Sequence, residues 1–128
     1  MQTVRNIRLR IIKAKLWCWN SLTREDQIQD IIKESEQKPV VIFKHSTSCS
    51  ISATAKGRLE RQWSESDLAH VKPYYLDLLS YRPVSNQVAR TFDIEHESPQ
   101  LLLIRDGECV YDASHLGIRL EEVKKHLA

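Results

Sequence analysis

The sequence predicts an α/β domain built on a central mixed four-stranded sheet flanked by helices on both faces. Three observations lead there. Through the first two thirds of the chain, short apolar runs alternate with apolar stripes at helical spacing, as in a parallel α/β unit. The last third carries two strand-like runs joined by Asp106-Gly107, a strong hairpin signal. A final amphipathic stretch, marked by Leu120, Val123 and Leu127, closes the order helix, strand, helix, strand, helix, strand, strand, helix. At 128 residues, 41% of them hydrophobic, the chain suffices for one compact domain and not for two of ordinary size.

Each element has a local cause. Thr23 reads as the N-cap of the first helix, with Glu25 and Asp26 favouring its positive end. Ile28, Ile31 and Ile32 form its apolar face, and Lys38-Pro39 stops it, because a residue before proline disfavours helical geometry. Val40 to Phe43 is apolar at every position, the pattern of a strand covered on both faces. From Ser50, the residues Ile51, Ala55, Leu59 and Trp63 recur every fourth position along a helix. Gly57 inside it costs about 1 kcal/mol relative to alanine unless close packing needs it. Ser64 to Asp67 reads as a loop or helix end, and Tyr74 to Leu79 as the second strand. Ser85 is expected to cap a short helix bearing Val88, Ala89 and Phe92. Leu101 to Ile104 and Cys109 to Tyr111 are the hairpin strands. Lys124, Lys125 and His126 suit the negative end of the last helix.

Charge divides the chain. Arg5, Arg8, Arg10, Lys13 and Lys15 precede Asn20 without one acid, and the remainder carries 14 basic and 17 acidic residues. Residues 1–19 are therefore read as a basic N-terminal extension and residues 20–128 as the folded domain. Val4, Ile7, Ile11 and Ala14 share a helical face, which suits a surface-lying amphipathic segment, although a solvated or loosely docked extension is the plainer reading. A net charge of +2 makes no argument for nucleic acid. No stretch approaches the roughly 20 apolar residues of a membrane span. Cys18, Cys49 and Cys109 are too few and too irregularly spaced for a secreted disulfide framework, and they suit a reducing, cytoplasmic compartment. His45, His70, His96, His115 and His126 show no metal-ligand spacing with them, so no metal site is expected. There is no glycine-rich phosphate loop.

The chemistry concentrates where the first strand ends. Lys44-His45-Ser46-Thr47-Ser48 is a short polar link, and Cys49 opens the next helix. A helix N-terminus offers unpaired N–H groups and a positive dipole end, which favour thiolate over thiol. Three residues on stands Ser52, so one thiol occupies a place where a dithiol site has two. The expected activity is thiol–disulfide exchange by a single cysteine. Ser52 is expected to donate a hydrogen bond to the thiolate, or else to be an exposed first-turn serine. Lys44 and His45 bring positive or potentially positive charge close by, but strand alternation sends them to opposite faces, so at most one acts directly. His45 titrates near neutrality and favours the thiolate when protonated. Cys18 and Cys109 read as packing residues, with a resolving-thiol role as the alternative.

The element order, with Cys49 after the first strand and Ser98-Pro99 before the hairpin, resembles the thioredoxin fold. That resemblance implies a cis Ser98–Pro99 bond facing the cysteine, beside which the partner's extended peptide docks. A closer resemblance runs from Trp19 onward. Trp19-Asn20-Ser21-Leu22-Thr23, Lys38 to Ser46, Cys49-Ser50-Ile51-Ser52, Leu59-Glu60-Arg61-Gln62-Trp63, Tyr75-Leu76-Asp77-Leu78, His96-Glu97-Ser98-Pro99-Gln100 and Ala113-Ser114-His115 are similar to the YtxJ-type bacillithiol-system redox proteins, the monothiol bacilliredoxins. It implies removal of bacillithiol from client proteins that carry it as a mixed disulfide. Bacillithiol is then a co-substrate, and no cofactor is permanently bound. The family's typical site is Cys-Pro-Ile-Ser, and Ser50 departs from it at the helix's first turn, where proline is favoured. Three other readings stay open. One is a two-cysteine oxidoreductase using Cys18 or Cys109, and one is a binding module of the same fold with an inert Cys49. The third is cluster assembly, for which the Cys-Gly-Phe-Ser sequence of monothiol glutaredoxins is missing.

Overall fold

The computed structural model describes residues 18–64 and 68–127. The expected leader helix through Val4, Ile7, Ile11 and Ala14, and the Ser64–Asp67 loop beyond its first residue, lie outside the described residues. Along the chain come β1 (Asn20–Ser21), α1 (Gln27–Glu34), β2 (Val40–His45), α2 (Ser50–Ser64), β3 (Lys72–Asp77), α3 (Arg82–Phe92), β4 (Gln100–Arg105) and β5 (Glu108–Ser114). A 3-10 turn (His115–Gly117) leads into α4 (Leu120–Leu127).

The sheet is mixed, as expected, and has five strands rather than four, in the order β1-β3-β2-β4-β5. β1, β3 and β2 run parallel, while β4 and β5 are antiparallel to their neighbours. The added strand is the two-residue β1, whose Asn-Ser sequence has no apolar periodicity to announce it. It is held at the edge by the Asn20 amide, which donates to the Pro73 carbonyl at 3.0 Å, and by Leu22 N–H on the Tyr75 carbonyl at 2.8 Å.

β2 lies between β3 and β4, and its side chains alternate between two cores. Val40 and Ile42 pack with Ile28 and Ile31 of α1 and with Val84 and Val88 of α3. Val41 and Phe43 pack with Ala55, Leu59 and Trp63 of α2 and with Val123 of α4. Coverage on both faces is the reason the strand reads as a continuous apolar run. At the hairpin, Asp106 (φ 51°) and Gly107 (φ 77°) both take positive φ, the conformation of the tight turn that Asp-Gly favours. Ser35 pins that turn to the end of α1, its carbonyl accepting Asp106 N–H and its hydroxyl accepting Gly107 N–H.

Two helix starts differ from expectation. Thr23 does not cap α1; the Gln27 side chain does the equivalent work, its Oε1 accepting Thr23 and Arg24 N–H at 2.8 and 2.9 Å. α3 begins three residues before Ser85, because Pro83 fits the first turn of a helix and starts it early. Ser85 is consequently inside α3 and wholly buried.

Gly57 has no packing reason to be glycine. A Cβ there would meet nothing closer than the Arg61 guanidinium at 3.7 Å. Gly57→Ala is expected to stabilise the domain by about 0.5–1 kcal/mol, read as a raised urea midpoint at unchanged slope.

Candidate active site

The site lies where β2 ends and α2 begins. Ser46 to Cys49 form a turn closed by Cys49 N–H on the Ser46 carbonyl at 3.2 Å. The Cys49 carbonyl accepts Ala53 N–H at 3.1 Å, the first bond of α2, so the half-buried cysteine sits at the helix N-terminus. The register of the sheet brings the hairpin to the same place. Lys44 pairs with Gln100 across β2 and β4, so Pro99 arrives at the C-terminal end of β2. The Ser98–Pro99 bond is cis, and the Pro99 carbonyl accepts His115 N–H at 3.1 Å.

Ser52 is wholly buried, and its hydroxyl is engaged by groups other than the thiol. Its Oγ accepts Ser46 N–H at 3.0 Å and lies 2.6 Å from His45 Nδ1. The serine therefore ties the first turn of α2 to the end of β2. His45 is buried against the Phe43 and Tyr75 rings, with centroids 6.0 and 5.7 Å away. Burial pushes its ring below the usual histidine value and nearby Lys56 adds to that, against the opposing pull of Asp77 and Glu60. At neutral pH the ring is uncharged, so His45 brings Cys49 no positive charge there.

Trp19, the last residue of the expected extension, stacks on Phe43 at 5.8 Å and donates its indole N–H to Glu60 at 2.8 Å. Glu60 also pairs with Lys56 at 2.9 Å, and Lys56 lies over the Tyr75 ring. These contacts pack Trp19 and Tyr75 between β2 and α2 against the core that includes Phe43 and Leu59.

Lys44 leaves β2 on the opposite face, as alternation requires. It is wholly buried, with Nζ 3.3 Å from both the Ser85 carbonyl and His96 Nδ1. Burial pushes its ammonium down to about 8. His96 is held below the ordinary histidine range by burial and then by Lys44 and Arg82, with Glu97 opposing. His96 and Ser85 were not among the site residues expected from sequence. The available signal was the lysine itself, since a cation in a strand covered on both faces must find polar partners.

The other two cysteines lie elsewhere. Cys109 pairs with Ile104, which faces Val40 at the start of β2, about 16 Å of strand from its end. Its thiol contacts the Tyr111 carbonyl, and burial pushes it up to about 11. Cys18 is exposed and precedes Asn20, which is level with Ile42 in the middle of β2. Among the described residues, no group of three His, Cys, Asp or Glu could hold a metal ion, and no helix is long and apolar enough to cross a membrane.

Ser50 is the exposed first residue of α2, where proline's fixed φ fits and its missing N–H costs nothing. Ser50→Pro is expected to add about 0.5–1 kcal/mol of stability by restricting the unfolded chain. An unchanged or lowered thermal midpoint would show that the turn into the helix rejects a proline.

This arrangement presents one thiol at a helix N-terminus beside a cis X-Pro segment, with a buried serine at the place of a second thiol. Comparison with known proteins gives the family and the fold. The family model of monothiol bacilliredoxin BrxC matches residues 20–123. A solved structure described as having a thioredoxin fold is 31% identical, with a TM-score of 0.72 over 82% of this chain and 89% of that one. The thioredoxin of Fasciola hepatica is 16% identical, with a TM-score of 0.65 over 84% of this chain and 95% of that one. Spinach chloroplast thioredoxin f, in its short form, is 15% identical, with a TM-score of 0.63 over 84% of this chain and 88% of that one. The last two likenesses establish the thioredoxin fold alone.

Proposed function

The chain belongs to the monothiol bacilliredoxin family, and on that premise we propose that it removes bacillithiol from protein mixed disulfides through the Cys49 thiolate. The coarser function, thiol–disulfide redox chemistry, follows from the family and the fold. The observation that carries the finer reading is the placement of Cys49. It stands at the start of α2 with Ser52 buried at the place of a partner thiol, while Cys109 lies at the opposite end of the sheet.

Two exchanges complete the cycle. The Cys49 thiolate attacks the bacillithiol sulfur of the client's mixed disulfide; the Cys49–bacillithiol bond forms, the old disulfide breaks, and the client leaves as a thiolate. A second thiolate, from free bacillithiol or a partner redox protein, then attacks the capped Cys49 at the bacillithiol sulfur. This restores the Cys49 thiolate and leaves bacillithiol in a new disulfide with that thiol. Electrons pass from the small thiol pool to the client. Ser52 cannot resolve the capped form, which is why an external thiol is required. In this scheme the client's backbone lies against Ser98 and Pro99, and the setting is a reducing cytoplasm.

The test uses a model protein carrying bacillithiol on one cysteine, incubated with the wild type and with Cys49→Ser. Masses are read under non-reducing conditions. Client thiol released by the wild type alone, with a bacillithiol adduct on Cys49, is the expected result. Release by both proteins would show that a thiol other than Cys49 does the exchange, and release by neither removes bacillithiol as the small thiol and points to another small thiol or to the binding-module reading. An internal disulfide to Cys18 or Cys109 in place of the adduct would establish the two-cysteine alternative.

A further inference from the structure

The segment that carries Ser98 and Pro99 is tethered from beneath by a buried polar cluster that the exchange chemistry does not use. Lys44 Nζ reaches the Ser85 carbonyl and His96 Nδ1, each at 3.3 Å, and Ser85 Oγ lies 3.5 Å from the same ring nitrogen. The Gln100 side chain, which shares a sheet face with Lys44 across the β2–β4 ladder, donates its amide to the Glu95 carbonyl at 2.9 Å. Among the described residues, Gln100 Oε1 is buried without a protein partner, and Lys44 has three N–H donors for two acceptors. The cluster therefore holds the segment at Glu95 and at His96, two residues before Ser98 of the cis bond. No carboxylate pairs with Lys44 among the described residues.

We infer that Lys44 and His96 are positioning residues for the client: through the Lys44–His96 bond they hold the Ser98–Pro99 segment in the shape that receives the client's backbone. The inference rests on the reading of Cys49 and Ser98–Pro99 given above. Its chemistry is directional. An ammonium only donates, so His96 must present an unprotonated Nδ1, and its proton sits on Nε2. The groups facing His96 fit a neutral ring: Lys44 from β2, Arg82 and Ser85 from α3, and Glu97 from the segment itself. Protonating His96 removes the acceptor and sets two cations against each other, so the tether fails on the acid side.

The variants are Lys44→Met, His96→Ala and His96→Asn. The asparagine offers an amide oxygen near the place of Nδ1 and does not titrate. In Lys44→Met and His96→Ala, KM for the bacillithiolated client is expected to rise about tenfold with kcat within about twofold. Reaction of Cys49 with bacillithiol disulfide, which has no peptide to position, is expected to be unchanged. His96→Asn should restore most of the client KM, and should lose the rise in KM expected of the wild type on the acid side of the ordinary histidine range. Hydrogen exchange at the amides of residues 95–98 gives a reading that needs no turnover. It is expected to accelerate about tenfold in Lys44→Met and His96→Ala, with the core amides no faster than in wild type. Unchanged exchange in both overturns the inference whatever the activity. Faster exchange with an unchanged client KM overturns the client-positioning role. A wild type that exchanges no client disulfide counts against the proposed function, and the exchange rates still decide the tether.

Discussion

At pH 7, Lys44→Met is expected to be more stable than the wild type by about 1–3 kcal/mol, seen as a higher urea midpoint. Lys44 is a wholly buried cation with no carboxylate partner among the described residues, and burial pushes it down to about 8 from 10.5. Holding the proton through that interval costs about 3 kcal/mol. Methionine keeps much of the length and needs no acceptor, but gives up the bonds to the Ser85 carbonyl and His96, worth about 1 kcal/mol each. The balance favours the apolar side chain. The sign of the pH dependence follows from counting protons. Between pH 8 and 10.5 the unfolded chain binds more protons at this group than the folded one, so wild-type stability gains from it as pH rises through that window. Below pH 8 both states are protonated and the penalty is whole. The variant lacks this contribution, so its advantage should shrink from about pH 8 upward. A difference that stays constant with pH, or a less stable variant, would show that Lys44 is better compensated than its contacts indicate.

That result matters for function because it separates two roles. A residue that only supported the fold would lower stability when removed. A residue that costs stability and still shapes the partner-binding segment should do the reverse, raising the urea midpoint while weakening client recognition.

The parts of the fold legible in the sequence were those set by local signals. Val40 to Phe43 announced a strand covered on both faces, Asp106-Gly107 a tight hairpin, and Cys49 the start of a helix. Each depends on neighbours within a few residues. Of the features that sequence does not reveal, β1 depends on distant partners and the start of α3 on a nearer competing signal. β1 is two polar residues made a strand only by Tyr74 and Tyr75 beside them. Ser85 looked like a cap because serine favours that place, but Pro83 starts the helix earlier. Within the site, alternation correctly sent Lys44 and His45 to opposite faces and could not say what waited there. His96 lies 52 residues from Lys44 and meets it only because β4 returns alongside β2. Sequence makes Ser52 thiol-facing or exposed, since a first-turn serine in isolation offers no other partner. The turn at Ser46 and the inward His45 ring supply two.

Ser52 is also where the monothiol character can be reversed. Ser52→Ala removes the acceptor for Ser46 N–H and the partner of His45 Nδ1 in a buried place, and is expected to cost about 2 kcal/mol of stability. Ser52→Cys should act on the chemistry. Side chains three residues apart on a helix approach to about 5–6 Å between Cβ atoms, and a small adjustment at the first turn brings two thiols within bonding range. The second thiolate would then attack the Cys49 sulfur of the bacillithiol adduct, releasing bacillithiol as a thiol and leaving an internal disulfide. Because that attack is intramolecular, it should outrun free bacillithiol at concentrations up to the millimolar range. The expected product of one turnover is therefore a protein lighter by two hydrogens, with no adduct, that needs a dithiol reductant for its next cycle. Wild type under the same conditions keeps the adduct until a small thiol arrives. If Ser52→Cys folds and still accumulates the adduct, the bonds to His45 and Ser46 are not what separates position 52 from Cys49. The shape of the turn itself would then exclude the second exchange, and substituting the serine alone could never make this a dithiol site.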